Sequence, residues 1–480
     1  MSRPDPKIIL VCLLVGMMAV PVLAQKYKPT WESLDSRPIP EWFNEAKFGI
    51  FIHWGVYSVP AWRPLSQKKY ASYAEWYYAR VIGDQINGGD AFHRKNFGDD
   101  FEYRQFGPLF RAELFDPDFW ADLFKKAGAR YVVLTSKHHD GYCLWPTSSP
   151  YKTDWNSGAI GPQRDLLGDL AKAVRRAGLK MGLYYSIIEW ESIPTKRVES
   201  GWYLNRKTIE KYRIPLDNYV NDHLLPQLRE LVTLYQPSLI FSDGGEWDFD
   251  ENFWKTKEFL AWLYNEAPNK DEVVVNDRWC KGMPGVHGDY FSSEYQDTDA
   301  VGVSHPWEES RGIGGSYGFN RAENLKDYRT SEELVHELID IAHRGGNLLL
   351  NVGPTADGRI PVIMQQRLMD IGEWLRINGE AIYGTQAWSP TKTLPAEESS
   401  PLRFTRKGSD IFVHCLFWPK DDIMVPTAGL RPSNIRLLGV DTPVEWEPTQ
   451  DGICLRPPPL QPHEIPSRYA YVFKMEGIVK

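Results

Sequence analysis

From about Lys26 to Thr385 the chain alternates short, almost wholly apolar runs with longer amphipathic stretches, and this alternation limits its fold more than any other feature. The runs are FGIFIHW (Phe48 to Trp54), ARYVVLTSK (Ala129 to Lys137), LKMGLYYS (Leu179 to Ser186), SLIFSDGG (Ser238 to Gly245), EVVVNDRW (Glu272 to Trp279) and GNLLLNVGP (Gly346 to Pro354). Runs apolar at nearly every position are buried on both faces, as strands of a parallel sheet are, whereas a half-exposed antiparallel strand would alternate. Between them lie helix candidates such as Phe119 to Ala127, Leu167 to Ala177 and Ser331 to His343. The last is framed by a capping box, Thr330 with Glu333, and by Gly345 and Gly346. Strand and helix in alternation predict an α/β architecture, a (β/α)8-like barrel of the TIM type over residues 25–388.

Each run finishes in polar or ionisable groups: His53 and Trp54, then His138, His139 and Asp140, then Tyr184 and Tyr185, then Asp243, then Asp277 and Arg278, then Asn351. Charged groups at buried strand ends need a partner or a task. In a (β/α)8 barrel the C-terminal ends of the strands carry the active site, so these residues are expected to converge on one cleft.

Past Thr385 the texture changes to short β-rich runs (LRFTRKGSDIFVHCLFWP, SNIRLLGV, PVEWEP, DGICLRPPP, YAYVFKM) separated by Pro, Gly and Asp. They predict a small C-terminal antiparallel β-sandwich, residues 389–480, that supports the barrel or frames one edge of its cleft. At the other end, Arg3 and Lys7 precede an apolar stretch from Ile8 to Val22, and Val22-Leu23-Ala24 offers small residues before Gln25. This is the pattern of a signal peptide over residues 1–24, and the stretch is short for a membrane span. The expectation is export, with no membrane attachment after cleavage.

Four cysteines remain beyond the leader, Cys143, Cys280, Cys415 and Cys454, too few and too scattered for a disulfide framework or a CxxC zinc site. Cys415 and Cys454, in the same C-terminal segment, are a candidate pair. The absence of any Asn-x-Ser/Thr acceptor fits a periplasmic or secreted location better than a glycosylated lysosomal one. With 63 acidic against 55 basic side chains there is no basic surface to neutralise a nucleic-acid backbone.

Asp243 ends SLIFSDGG, and the two glycines after it let the backbone turn away and leave the carboxylate facing the cleft. Glycosidases work with paired carboxylates, so a partner is expected at another strand end. Glu294 in DYFSSEYQ is the first candidate, with Glu308, Glu309 and Asp289 in reserve; Glu308 and Glu309 lie in a looser Trp-Glu-Glu segment. Two other motifs fail on context. Gly314-Gly315-Ser316-Tyr317-Gly318 matches G-x-S-x-G, but neither a preceding apolar strand nor a following helix is evident, which counts against a serine esterase using Ser316. His336-Glu337 begins like a zincin helix, yet Asp340 stands where the second histidine belongs.

Nine segments, in order, resemble glycoside hydrolase family 29, the retaining α-L-fucosidases: WFNEAKFGIFIHWGVYSVPAW, AEWYY, SKHHDGYCLW, GLYYSIIEW, YQPSLIFSDGGEW, VVNDRW, DYFSSEYQ, the RGIGGSYGFNR run and GGNLLLNVGPTADG, spanning Trp42 to Gly384. The resemblance implies a (β/α)8-like barrel with a C-terminal β-sandwich. It makes Asp243 the nucleophile, matches Glu294 to the acid/base, and sets His53, Glu75, Trp76, His138, His139, Tyr184, Arg278 and Tyr317 around the sugar. Ser242 departs from the Asn or Phe common at its position, but it should alternate away from the sugar.

The side-chain chemistry agrees. Imidazoles and Glu75 suit sugar hydroxyls, while Trp76, Tyr317 and Trp54 offer apolar faces to C–H surfaces and the C6 methyl of a 6-deoxy sugar. Arg278 would hold a nearby carboxylate ionised. His138 and His139 point the same way only if their strand has ended there. The histidines are read as hydroxyl ligands; no metal and no cofactor is implied. The expected function is hydrolysis of terminal α-linked L-fucose from fucosylated glycans through a fucosyl-enzyme. A non-catalytic fucose-binding lectin on the same barrel is the alternative. Aglycone choice is expected to depend on the segments around Ile187 to Asn205 and Trp307 to Gly315, and the oligomeric state is not legible.

Overall fold

The computed structural model describes residues 26–66, 72–83, 89–192, 210–295, 305–388, 401–427, 429 and 431–478. The leader, and residues 193–205 of the first of the two segments expected to select the aglycone, lie outside them.

Eight parallel strands form the curled sheet of a TIM-like barrel: β1 (Phe48–Ile52), β2 (Tyr131–Lys137), β3 (Lys180–Ser186), β4 (Leu239–Asp243), β5 (Val274–Val275), β6 (Phe291–Glu294), β7 (Trp307–Gly312) and β8 (Asn347–Val352). The ladder runs β5-β4-β3-β2-β1-β8-β7-β6. Its two ends, β5 and β6, are consecutive in the chain and meet through single bonds rather than a ladder: Asp289 and Tyr290, just before β6, donate their N–H groups to Val275 O at 3.0 and 3.3 Å.

The six apolar runs are the strands β1 to β5 and β8. The two strands without an apolar run are β6 and β7, FSSE and WEESRG. The Trp307 to Gly312 segment, expected to be loose, is therefore a strand, registered on Asn347 to Asn351 of β8. Its polarity has a local cause. Glu308 faces the barrel interior and takes a hydrogen bond from Tyr131, whereas Glu309 faces the other way, toward Ser293 and Arg311. Polar side chains with such partners are tolerated in a buried strand.

Alternation along each strand sorts side chains into two layers. Phe51, Tyr131, Val133, Tyr184, Leu239, Phe241 and Leu349 pack inside the barrel, while Ile50, Ile52, Leu134, Leu183 and Ile240 pack against the surrounding helices. Gly49 is inward, and the Tyr131 ring occupies the place of its missing side chain, with a Cβ there falling 2.4 Å from ring carbons. The helices follow the expected periodicity: Pro117–Lys126, Leu166–Arg176 and Ser331–His343, the last with its Thr330/Glu333 capping box formed.

The C-terminal part consists of two antiparallel sheets around one apolar core. Strands β9 (Gln386–Ala387), β10 (Leu402–Lys407), β11 (Asp410–Cys415), β13 (Asn434–Leu437) and β16 (Tyr471–Glu476) form one, ordered β13-β16-β11-β10-β9; β12 (Ile423–Val425), β14 (Glu445–Pro448) and β15 (Ile453–Arg456) form the other, ordered β12-β15-β14. It docks on the helices Ser331–His343 and Val362–Asn378. Trp374 donates to Ala470 O at 2.9 Å and His343 pairs with Phe404 O at 2.7 Å. His336 is spent here on Tyr469 O at 2.8 Å, which accounts for it without a metal.

Cys415 and Cys454 do not pair. Cys415 joins the inner core from β11, but on β15 it is Ile453 and Leu455 that point inward, so Cys454 faces away toward Asp422. Among the described residues no helix is long and apolar enough to cross a membrane.

Candidate active site

The C-terminal ends of the strands surround a cavity of about 550 Å³. Phe51, Phe241, His53, His138, Tyr184 and Tyr317 form its inner wall, and Glu75, Trp76, Asp243, Arg278 and Glu294 also line it. The two glycines after Asp243 make the turn that presents the carboxylate. Gly244 has φ +81°, and at Gly245 a Cβ would fall 2.2 Å from Trp279 O. Only glycine fits a turn pressed this closely on a neighbouring backbone.

Asp243 is held from three sides. Tyr184 donates to Oδ2 at 2.7 Å, His139 Nε2 stands 3.3 Å from the same oxygen, and Arg278 Nη1 lies 3.4 Å from Oδ1. Burial alone would raise its pKa, but the His139 hydrogen bond and charge, then Arg278 and Tyr184, outweigh burial and hold the carboxyl well below its usual range. It is therefore ionised. Glu294 is shifted the opposite way: burial raises it, Asp243 adds to that, and Arg278 offsets only part. Arg278 Nη1 also lies 3.3 Å from Glu294 Oε2, so one guanidinium nitrogen touches both carboxyls. Tyr73 donates to Glu294 Oε1 at 2.8 Å. A carboxylate held low beside a carboxyl shifted upward is the pairing of opposite shifts that acid-assisted displacement uses.

The reserve candidates are elsewhere. Asp289 is clamped by Arg37, both oxygens at 3.1 Å, and takes Val275 N–H at 2.9 Å. Glu308 lies in the barrel interior beneath the cavity, pushed up to about 8 by burial, and Glu309 is turned outward. Neither lines the cavity; of the four glutamate and aspartate candidates, Glu294 alone does.

The histidines divide by position. β2 ends at Lys137, which frees His138 and His139 from strict alternation. His138 lines the cavity, stacked on Tyr184 with centroids 5.7 Å apart. His139 stands behind Asp243, with Nδ1 2.5 Å from Ser186 Oγ, and so acts on the carboxylate rather than through the cavity wall. His53 Nδ1 pairs with Asn351 Oδ1 at 2.7 Å, and burial lowers its pKa to about 3, so it meets a ligand as the neutral ring. Burial pushes Glu75 up to about 7, although Gly318 N–H donates to Oε2 at 2.8 Å.

One expectation changes, and one rejection holds. Trp54 is not at the cavity: alternation that turns His53 inward turns Trp54 outward, where it packs on Phe110, Phe115 and Trp120 and donates to Thr355 O. Ser316 is no nucleophile elbow, because its hydroxyl accepts from Ala74 N–H at 2.9 Å and donates to Glu75 at 3.3 Å, and turns rather than a helix follow it. Ser242 alternates away as expected and donates to Asn276 at 2.7 Å. The sequence reading passed over Tyr73, Glu246, Trp247, Phe51 and Phe241, all of which line the cavity. Phe51 and Phe241 were within reach, since each stands two residues before a selected inward residue on the same strand.

A parallel barrel with two oppositely shifted carboxyls in one sugar-sized, aromatic-walled cavity at its C-terminal face marks the class of glycoside hydrolases. Residues 15–380 match the family model described as "Alpha-L-fucosidase", and residues 397–476 match "Alpha-L-fucosidase C-terminal domain". The chain belongs to the alpha-L-fucosidase family. It is 39% identical to the tissue alpha-L-fucosidase of Homo sapiens over 485 residues, covering 99% of this chain and 98% of that one. It is 40% identical to the tissue alpha-L-fucosidase of Bos taurus over 458 residues, covering 94% and 92%. Its fold matches that of the Thermotoga maritima alpha-fucosidase, solved with a mechanism-based inhibitor, at a TM-score of 0.79 and 40% identity, covering 93% of this chain and 99% of that one. A fucosylated glycan is thus the substrate class, and the binding-only alternative gives way to a hydrolase.

Proposed function

We propose that the enzyme removes terminal α-linked L-fucose with retention of anomeric configuration, by double displacement. Asp243 attacks the anomeric carbon while Glu294 gives its proton to the leaving oxygen. Water, deprotonated by Glu294, then hydrolyses the fucosyl ester of Asp243. The observation that carries this reading is the shared contact of Arg278 Nη1 with both carboxyls, at 3.4 and 3.3 Å. Two carboxyls that touch one atom are close, which favours the spacing of about 5–5.5 Å of a retaining pair over the wider one of an inverting enzyme.

His53, Glu75, Trp76 and His138 supply hydroxyl partners, Phe51, Phe241 and Tyr317 an apolar surface suited to C–H groups and a methyl, and His139 and Tyr184 orient the nucleophile. In this reading residues 25–388 are the catalytic unit, 389–480 its support, and 1–24 a cleaved signal that sends the enzyme to the periplasm or outside. N-terminal sequencing of exported protein should begin at Gln25.

The mechanism is tested by following an aryl α-L-fucoside by proton NMR. The α anomer of free fucose should appear first and the β anomer only by mutarotation; β-fucose as the first product means inversion and sinks the Asp243 ester.

A further inference from the structure

Glu246 lines the cavity with Asp243, Glu294, Glu75 and Asp277, and the double displacement leaves it without a task. It follows Asp243 by three residues across the Gly244-Gly245 turn, which Trp254 fixes by donating to Gly245 O at 3.0 Å. The turn brings both carboxyls to one cavity, where Glu246 faces Asp243 from its own turn and Asp277 and Arg278 from the segment after β5. Among the described residues its buried Oε2 has no hydrogen-bond partner. A buried polar atom with no partner destabilises the site, and a partner supplied by the ligand removes that cost. Burial, then the charge of Asp243, pushes the carboxyl up to about 8, so it meets a ligand as the neutral acid, able both to donate and to accept.

We propose that Glu246 binds the 2-hydroxyl of the fucosyl ring and is a specificity-determining residue for it. This rests on the reading of Asp243 as the nucleophile. Asp243 must abut C1, and of the two ring atoms bonded to C1 only C2 bears a hydroxyl, so a carboxyl sharing the turn of Asp243 meets that hydroxyl first. Hydrogen bonds at this position strengthen as the oxocarbenium-like transition state forms, so the contribution falls on kcat as well as on KM.

The test is a cycle on the whole enzyme, with an aryl α-L-fucoside and its 2-deoxy and 4-deoxy analogues as substrates for the wild type, Glu246→Leu and Glu246→Gln. On the parent substrate Glu246→Leu should lose about tenfold in kcat/KM, the equivalent of one hydrogen bond of about 1.4 kcal/mol. Glu246→Gln, which keeps the shape, a donor and an acceptor, should stay within about threefold of the wild type, because the neutral acid is the binding form. The Leu penalty should vanish on the 2-deoxy substrate and persist on the 4-deoxy one. Equal penalties on all three substrates, an unimpaired Leu variant, or a folded Gln variant as slow as Leu each overturn the proposal. If Glu246→Leu does not fold, Glu246→Ala takes its place in the cycle. A wild type that releases no phenol from the parent fucoside sinks the fucosidase reading itself and is told apart before any variant is compared.

Discussion

Tyr73 meets Glu294 at 2.8 Å, its hydroxyl donating to Oε1, and Arg278 takes the other oxygen at 3.3 Å. The two contacts orient the carboxyl and lower a pKa that burial and Asp243 have raised. Tyr73→Phe removes one of them. The alkaline limb of kcat/KM, where Glu294 loses its proton, should move to higher pH, and kcat/KM should fall about tenfold at the optimum through loss of orientation. A limb that stays in place would detach Glu294 from the acid role.

The two carboxyls should fail in different ways. Asp243→Ala should lose turnover on every fucoside, because no ester forms. Glu294→Ala should be slow on poor leaving groups, yet azide should restore release of an activated phenol and yield a fucosyl azide, since a small anion needs no general base. Absence of rescue moves the acid/base to another residue.

Arg37 and Asp289 are 4% and 6% exposed, so each buried charge is balanced by the other. Arg37→Met leaves the carboxyl buried and unpaired and should destabilise the fold by about 3–5 kcal/mol in urea titration. Asp289 does not line the cavity, so KM and kcat of the remaining folded enzyme should stay near wild type. A large change in kcat at full folding would contradict the assignment.

Glu75, raised from 4.5 to about 7, makes stability depend on pH. Between those values the unfolded chain has released a proton that the folded chain keeps, so stability falls as pH rises through the window and levels above it. Glu75→Gln should flatten that part of the curve and raise KM, because a hydroxyl partner changes charge state. A slope unchanged in the variant would assign it to another group.

The strands β1 to β5 and β8 were legible because burial on both faces leaves a continuous apolar signature, and Asp243 because it ends one of them. β6 and β7 were not, since their buried positions hold Glu308, Ser293 and Glu309, whose partners Tyr131 and Arg311 are distant or misleading in the chain. Glu294 was reachable through resemblance, but what sets it apart from Asp289 and Glu308 is its place on the cavity wall, where Tyr73, 221 residues away in the chain, donates to it. Trp54 was misplaced although its neighbour His53 was right: one step along a strand exchanges the cavity for the helix layer.

The open seam between β5 and β6 divides the catalytic pair. Asp243 ends β4, a five-residue strand laddered to β3 along its length, whereas Glu294 ends a four-residue strand laddered on one side and joined to the two-residue β5 by isolated bonds. Amide protons of β5 and β6 should therefore exchange with solvent sooner than those of β1 to β3. In the proposed mechanism the nucleophile would stand on the fully laddered arc of the sheet and the proton donor at its seam, giving the reaction one fixed reference point and one that adjusts to leaving groups of different size.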